Sequence, residues 1–330
     1  EQLAGDMLPN ATDDQKIATG LHRNTQLTEE GGIDPLEFRF YAAVDRVATT
    51  GMVWMGLTTG CAQCHTHKYD PITHDEYFGL MSLLDNVEEP DLFLYTDEQI
   101  KVKADLEKQI AQKIVDLQKN DTVFELEFSK WHKSEQEKAT SWKTIRPTSM
   151  KSNLAKLEVM EDGSIYSSGD VTKRDVFDLN FTSDQPITAL RIEALTDDRL
   201  PGYGPGRCYY EGRKGTFFLS EVEVKTANGI KVPLSKPIAS GGNGAEKVID
   251  QDGSSGWGSA IGQANHLILP LTKPLPANQS LSISLLFERH FVASLGRFRI
   301  SATSSAKELK ASKIGVEAEH ILSLREQAST

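Results

Sequence analysis

Residues 175–195 read DVFDLNFTSDQPITALRIEAL. In the first half of this stretch, Phe177, Leu179 and Phe181 alternate with polar residues, which is the period of a strand with one buried face. The turn-forming residues SDQP follow, and a second apolar run begins at Ile187. The stretch therefore predicts two strands that pack on a core.

Similar short runs, separated by Gly, Pro, Asn and Asp, occur on both sides of this stretch beyond Pro147. They lie at 156–160, 164–168, 215–224, 265–271, 280–288 and 296–304. About eight short strands at such spacing are typical of a β-sandwich or jelly roll. We therefore predict an antiparallel β-sandwich over residues 147–305.

The segments that flank the sandwich have helical patterns. Residues 1–94 are predicted to be mainly helical, with Thr12 or Asp13 as an early N-cap. Residues 95–146 carry apolar residues every three or four positions on two arms, which we interpret as an antiparallel helical hairpin. Residues 306–330 return to helix-forming residues and are interpreted as a linker towards a further domain. The apolar positions of the two arms are Leu106, Ile110, Ile114 and Leu117, then Phe124, Phe128 and Trp131. The predicted fold class is α+β multidomain.

Composition and charge restrict the classes of partner. The chain has 330 residues and a formal net charge of −11, which disfavours binding to nucleic-acid phosphates. No run approaches the roughly 18 apolar residues that a spanning helix needs, so no transmembrane segment is predicted. The chain begins at Glu1 without a signal peptide, and we interpret it as a mature or excised piece.

The sequence Cys61-Ala62-Gln63-Cys64-His65 has the spacing of c-type haem attachment. In such sites the two thiols of Cys61 and Cys64 bond to the porphyrin vinyl groups, and the adjacent His65 becomes the proximal iron ligand. A motif of five residues with three fixed positions arises by chance only about once per thousand such chains. The motif predicts haem c as cofactor and makes residues 1–94 a small helical c-type cytochrome-like segment.

The sixth position of the iron needs a second ligand or water. His22 lies far enough along the chain to approach the distal face, and we name it as the candidate. His67 is too near His65 to reach the same iron from the opposite side, so we expect it to serve a second haem, a hydrogen bond or a metal. Met52 and Met55 are weaker alternatives. Arg23, Arg46 and Lys68 are candidates for binding the haem propionates.

Two other interpretations of the cysteine spacing remain possible. Cys61, Cys64 and His67 have the spacing of a partial Zn²⁺ site that one further His would complete. A redox-active dithiol is the second alternative, but such a pair usually follows a strand in a βαβ unit.

Several motifs identify a family resemblance. The stretches LHRNT, GGIDPLEFR, VDRVATTGMVWMGLTTG and CAQCHTHKYDPITHDEYF closely resemble the C-terminal half of the planctomycete cytochrome-like domain PSCyt2, also called DUF1549. The resemblance covers roughly residues 1–90. It implies a large exported protein, periplasmic or on the cell surface, that is associated with polysaccharide catabolism or respiratory electron transfer and has a redox partner protein or a further haem domain. The family's motif residues in this chain are His22, Arg23, Asn24, Asp45, Arg46, Cys61, Cys64, His65, His67, Lys68, Tyr69 and Asp70.

The strand-rich block resembles the galactose-binding-like sandwich that often follows this domain, and the tail AEHILSLREQ resembles the start of the partner domain PSD1, or DUF1553. Such sandwiches imply sugar binding through aromatic rings, often with a structural Ca²⁺. The candidate sugar-binding residues are Tyr203, Tyr209, Tyr210 and Trp257, and the candidate Ca²⁺ ligands are Glu193, Asp198 and Glu221.

These observations lead to two functional expectations. The first is an exported haem c protein that transfers electrons, joined to a sandwich that binds a polysaccharide or a partner protein. The second is a zinc-stabilised binding or scaffold module without haem. No acid–base pair or activated nucleophile is evident in the sequence, so an electron-transfer component is favoured over an independent catalyst.

Overall fold

The computed structural model describes residues 1–25, 34–85, 87, 92–120, 122–209, 213–258, 263–290, 292–312 and 314–327. The chain forms two compact units, Glu1–Tyr95 and Thr96–Thr330. The first unit ends one residue after the expected boundary at 94. No described helix has both the length and the apolar character to cross a membrane.

The first unit is helical, as expected. Its α-helices are α1 (Asp13–Ala18), α2 (Pro35–Thr50) and α3 (His74–Leu84). Short 3₁₀ turns occur at Gly5–Met7, Thr19–Asn24 and Thr59–Gln63, and a π-helical turn occurs at Gly51–Met55. Helix α1 begins with a capping box in which Thr12 is the N-cap, one of the two residues predicted for that position. The small core consists of Ala43, Val47, Ala62, Tyr77, Met81 and Leu84.

Two further helices, α4 (Asp97–Asn120) and α5 (Thr122–Lys138), begin the second unit. Only one residue separates them, whereas a tight turn between antiparallel helices needs a loop of about two to five residues. The described side chains of α4 are exposed along its whole length, including the apolar positions Leu106, Ile110 and Ile114. The two helices of the hairpin interpretation are therefore present, but α4 does not bury its apolar stripe on α5.

The rest of the second unit is an antiparallel β-sandwich, which confirms the predicted fold class. In the described part of the chain, the larger sheet has the order β3-β4-β13-β6-β11-β9, with β1 beside β13. The facing sheet has the order β2-β5-β12-β8, and β7 pairs with β10. The strands are β1 Lys143–Thr144, β2 Ser149–Lys151, β3 Ala155–Val159, β4 Ile165–Gly169, β5 Asp175–Thr182, β6 Ile187–Ala194, β7 Phe218–Leu219, β8 Glu221–Thr226, β9 Ile238–Ala239, β10 Trp257–Gly258, β11 Asn265–Leu275, β12 Ser280–Phe287 and β13 Arg297–Thr303.

The stretch that predicted the sandwich forms β5 and β6, one in each sheet. Phe177, Leu179 and Phe181 of β5 are fully buried between the sheets, as their alternation indicated. Strand β1 pairs with β13, so the sandwich begins at Lys143, a few residues before the expected start at 147.

Strand β6 is buried on both faces. Leu190 and Ile192 pack into the sandwich core, whereas Arg191 and Glu193 lie on the opposite face and are also buried. The cover on that face includes the last described helix, α6 (Val316–Gln327), which lies in the stretch expected to be a linker. The Glu319 carboxylate of α6 lies 2.5 Å from the Arg191 guanidinium. Helix α6 therefore packs on the sandwich through Glu319.

The Arg191–Glu319 pair belongs to a larger buried ionic cluster. Glu193 pairs with Arg191 at 3.2 Å and with Arg299 at 2.8 Å. The indole N–H of Trp142 donates to Glu319 at 3.3 Å, and the Arg191 guanidinium lies over the indole ring. Two arginines and two glutamates thus compensate one another inside the protein, where an unpaired charge would be costly.

Candidate functional site

The two cysteines of the CxxCH motif lie on or next to one 3₁₀ turn, Thr59–Gln63, which we call the cysteine turn. Both thiols are free and exposed, whereas Ala62 between them is fully buried in the small core. The turn is therefore anchored by Ala62 and presents Cys61 and Cys64 outward. A group that bonds to both sulfurs can reach them without unfolding the turn.

The exposed His65 side chain follows the second cysteine directly. Its Nδ1 lies 2.7 Å from the carbonyl oxygen of Thr66. Because a carbonyl only accepts hydrogen bonds, Nδ1 must carry the hydrogen in this contact, and the lone pair is on Nε2. Metal-binding histidines commonly have this arrangement, since a donor bond from one nitrogen fixes the tautomer and the ring orientation.

His67 has the opposite tautomer and is buried. Its Nδ1 accepts from the backbone N–H groups of Asp70, at 2.8 Å, and Tyr69, at 3.3 Å. Nε2 therefore carries the hydrogen and donates to the Thr58 hydroxyl at 3.1 Å. Both ring nitrogens of His67 are used to close the loop after the motif. The expected role of His67 as a metal ligand, in the haem or the zinc reading, would require breaking one of these contacts.

Helix α3 supports the cysteine turn from one side. It begins with a capping box in which Thr73 and Glu76 exchange hydrogen bonds, and the Thr73 N–H and hydroxyl lower the pKa of Glu76. At the first position of the helix, His74 Nε2 donates to the carbonyl of Gln63 at 2.9 Å. Gln63 lies between the two cysteines, so this bond fixes the turn to the helix. The pattern of Thr73 followed three residues later by Glu76 indicates in the sequence that a helix begins at His74, but it does not indicate the bond to Gln63.

The end of α2 supports the turn from the other side. The Thr59 hydroxyl donates to the carbonyl of Val47 at 3.1 Å and is buried. Gly51 packs against the same side chain so closely that an added Cβ would lie 2.4 Å from the Thr59 Oγ1. The π-helical turn then ends at Gly56, which has the positive φ of 64° that glycine adopts readily.

The π-helical turn exposes a continuous apolar segment, Met52–Met55, which we call the apolar turn. Met52, Val53, Trp54 and Met55 are each about half exposed. Large exposed apolar surfaces on soluble proteins usually mark a binding site for a partner or ligand. Three residues, 56–58, connect the apolar turn to the start of the cysteine turn.

Four further residues were expected near the haem, and two of them, Arg46 and Lys68, contact other groups of the protein. Arg46 is buried and donates to the carbonyl of Leu84 at 3.1 Å, at the C-terminal end of α3. Lys68 is exposed, with its ammonium 5.2 Å from the centre of the Tyr69 ring. Arg23 is exposed and His22 is buried in the turn Thr19–Asn24. Propionate binding by the three cations and distal ligation by His22 stay predictions.

Residues 1–89 match the family PSCyt2. The family is described as a protein of unknown function, DUF1549, and the match covers the helical unit but not the sandwich. No curated protein matches the chain.

Two solved structures resemble the chain weakly. The catalytic domain of a GH87 alpha-1,3-glucanase in complex with nigerose matches with 13% identity and a TM-score of 0.25, over 54% of this chain and 31% of that chain. A variant of that domain in complex with tetrasaccharides matches with 13% identity and a TM-score of 0.24, over 53% of this chain and 30% of that chain. The chain thus spans about a third of the length of these structures, and TM-scores this low support no conclusion about fold or activity.

The PSCyt2 segment fits a covalently attached haem. Its two thiols are exposed on or beside one turn, and the lone pair of His65 is on Nε2. Among the described residues, no three His, Cys, Asp or Glu side chains are grouped closely enough to hold a metal ion.

In the sandwich, Trp257 does not have the exposure that a sugar platform needs. Its ring is fully buried, packs 4.9 Å from the Phe217 ring, and its N–H donates to the carbonyl of Gly241 at 2.9 Å. The burial corrects the expectation that Trp257 stacks on a ligand. Tyr203 and Tyr209 are exposed, and Tyr210 lies outside the described residues.

Tyr203 and Tyr209 project from a tightly packed loop. A Cβ added at Gly204 would lie 2.1 Å from the carbonyl oxygen of Gly215, and one at Gly206 would lie 1.9 Å from that of Thr216. The two arms of the loop can approach this closely only because these positions are glycine. The close approach fixes the backbone on either side of Gly204, next to the exposed Tyr203.

The expected Ca²⁺ ligands have different environments. Glu193 is committed to the buried ionic cluster. The pKa of Glu221 is raised to about 7, first by burial and then by the neighbouring Asp250 carboxylate. Two adjacent carboxylates attract a cation, but the described residues provide no third acidic ligand at that point.

Proposed function

We propose that the PSCyt2 segment carries a covalently attached haem c and transfers electrons. The observation that carries this proposal is the cysteine turn, which combines two exposed thiols with an adjacent imidazole whose lone pair is on the outward nitrogen. When bound, haem c supplies an iron centre that exchanges one electron at a time.

Each residue of the turn has a definite part in this proposal. Cys61 and Cys64 tether the group, and His65 binds the iron through Nε2. Ala62, Thr59 and His74 hold the turn in place through the small core, the Val47 carbonyl and the Gln63 carbonyl. A ligand set held rigidly by its surroundings changes little in geometry between oxidation states, which suits electron exchange.

The electron partner in this proposal is a redox protein or a further haem domain. The apolar turn Met52–Met55 supports such a partner, since weak redox encounters use small, partly apolar surfaces. The PSCyt2 resemblance supports a site of action outside the cytoplasm, in the periplasm or on the cell surface.

For the sandwich we propose binding of a polysaccharide through Tyr203 and Tyr209. Exposed aromatic rings provide the flat apolar surfaces that sugar rings stack on. Retention of the protein on polysaccharide gels, and its loss in Tyr203→Ala and Tyr209→Ala, would support this role. A protein that no polysaccharide retains would refute it, and capture of a protein partner by the same loop would replace it.

A spectrum of the natively produced protein tests the haem proposal. The reduced wild type should show a sharp α-band that survives denaturation, because the thioether bonds keep the haem on the chain. Cys61→Ala with Cys64→Ala should lose the covalent haem, and His65→Ala should keep attachment but change the iron spectrum.

The matched control is Cys208→Ala, which removes the buried free thiol of the sandwich and should leave the spectrum unchanged. A colourless wild-type protein would overturn the haem proposal. Stoichiometric zinc in that protein would instead select the zinc-stabilised scaffold.

A further inference from the structure

The second unit contains a polar cavity at the end of β13, where the segment between α5 and β1 meets the chain that follows β13 and helix α6. Its volume is about 450 Å³, which falls within the roughly 300–1,000 Å³ of sites for small organic ligands. Six hydroxyl side chains line it, those of Thr140, Ser141, Thr303, Ser304, Ser305 and Ser323. The cavity therefore has both the size and the hydrogen-bonding groups of a binding site.

The charge of the cavity lining is opposite to that of the chain. The chain has 47 acidic residues against 36 basic ones, yet the lining includes Lys143 and Lys307 and no Asp or Glu. Lys143 pairs at 2.6 Å with Asp184, which is not part of the lining, and both side chains of this pair are more than half exposed. Exposed ion pairs are weak, so a negatively charged ligand can compete for the Lys143 ammonium.

Two hydroxyls of the lining have hydrogens to donate. The backbone N–H of Ser305 donates to the Thr303 Oγ1 at 3.1 Å, and that of Lys307 donates to the Ser305 Oγ at 3.2 Å. Because both oxygens act as acceptors in these bonds, their own hydrogens are available to a ligand. The carbonyl oxygens of Thr303 and Ser305 already accept from the Thr188 hydroxyl, at 3.0 and 2.7 Å. This segment thus presents donors and an ammonium to the cavity.

The other side of the cavity is built from buried residues. Ser323 of α6 is buried, lies one helical turn after Glu319, and donates its hydroxyl hydrogen to the His320 carbonyl at 2.7 Å. Thr140 is buried too, and its N–H donates to the Glu319 carboxylate at 3.3 Å. The charge of Glu319 is compensated by Arg191 in the ionic cluster. This side of the cavity is therefore fixed by the same contacts that hold α6 on the sandwich.

We propose that this cavity binds a small anionic sugar, one that carries a carboxylate or a sulfate group. The anionic group accepts hydrogen bonds from the Thr303 and Ser305 hydroxyls and from the ammonium groups of Lys143 and Lys307, and such charge-assisted bonds are the stronger ones. The other hydroxyls of the lining and the Gln185 amide bind the sugar hydroxyls. The site shares no residue with the cysteine turn or with the exposed tyrosines, so it is a function beyond those proposed above.

The test is calorimetric titration of the full chain at constant ionic strength. The probes are D-glucuronate and the sulfate ester of glucose, with glucose and inorganic sulfate for comparison. At least one of the two anionic sugars should bind saturably. Glucose and inorganic sulfate should each bind at least tenfold more weakly than that sugar, because glucose lacks the charged group and sulfate lacks the sugar hydroxyls.

Lys143→Gln and Lys307→Gln should each weaken the binding about fivefold or more, because each removes one charge-assisted hydrogen bond. Both lysines are exposed, so the urea midpoints of the variants should equal that of the wild type. The matched control is Lys310→Gln, the same substitution three residues beyond Lys307. Its side chain is 55% exposed and lies outside the lining, so the affinity should not change.

Three results would overturn the inference. One is the absence of saturable binding for both anionic sugars. The second is inorganic sulfate that binds as tightly as the sulfate ester, which would reduce the site to a surface ion. The third is an unchanged affinity in both lysine variants. None of these results depends on haem, so a colourless protein would refute the proposed electron transfer and leave this inference intact.

Discussion

Glu319→Gln should destabilise the second unit strongly because it removes one charge from the buried ionic cluster. Arg191 is 0% exposed and the Glu319 side chain is 3% exposed, so neither charge has water as an alternative partner. Before the change, two arginines balance two glutamates; after it, one positive charge is uncompensated. Breaking a buried pair in this way costs about 3–5 kcal/mol.

The glutamine retains some of this stability, since its oxygen can still accept from Trp142 and Thr140. We therefore expect a loss of about 3 kcal/mol, which corresponds to a fall in Tm of about 6–12 °C for a unit of this size. Urea unfolding followed by tryptophan fluorescence measures it directly, because Trp142 contacts the cluster.

Glu308→Gln is the matched control. Its side chain is 86% exposed and lies 4.0 Å from Lys310, so the change should stay within about 0.5 kcal/mol. A Glu319→Gln protein with a loss below about 1 kcal/mol would refute the argument that the cluster is desolvated. Arg191→Met combined with Glu319→Leu should be more stable than Glu319→Gln, because it removes both charges together.

Two further predictions concern pH and packing. His266 has its pKa lowered to about 3 by burial and by the Arg191 charge, so below its ordinary value of 6.5 the unfolded chain binds a proton that the folded chain does not. Stability should therefore fall as the pH drops from 6.5 towards 3, by at most about 1.4 kcal/mol per pH unit from this group, and His266→Gln should flatten that slope in urea titrations; an unchanged slope would contradict it. Gly51→Ala should destabilise the first unit by about 1–3 kcal/mol, since the new Cβ collides with the buried, hydrogen-bonded Thr59 side chain. Gly60→Ala, directly after Thr59 and where a Cβ meets nothing within 4 Å, is the control, and equal urea midpoints for the two variants would argue against the described packing.

The sandwich could be predicted from sequence because the apolar side chains of its inner faces occur at every second residue of a strand. Phe177, Leu179 and Phe181 alternate with polar residues, and the structure buries all three. The outer face of β6 could not be predicted in the same way. Its cover includes Glu319, more than a hundred residues away, and alternation within a strand contains no information about such a distant contact.

The candidate residues of the motif could be named from the sequence, but the contacts that surround them could not. The spacing of Cys61, Cys64 and His65 depends on covalent chemistry that is local in sequence. The roles of His67 and Trp257 depend on burial and on partners that only the folded chain brings together. The sequence alone does not distinguish a histidine or tryptophan that contacts a ligand from one that is buried among other side chains.

The outward placement of Cys61 and Cys64 affects how the protein must be handled at the bench. If the chain is made without the proposed haem, both sulfurs meet dissolved oxygen, and a pair separated by two residues can oxidise within one molecule or link neighbouring molecules. Cys208 is enclosed by the sandwich and is protected from both reactions. Purification in air without reductant would then yield mixed covalent species on a non-reducing gel, whereas sulfurs already committed to thioether bonds would leave a single band.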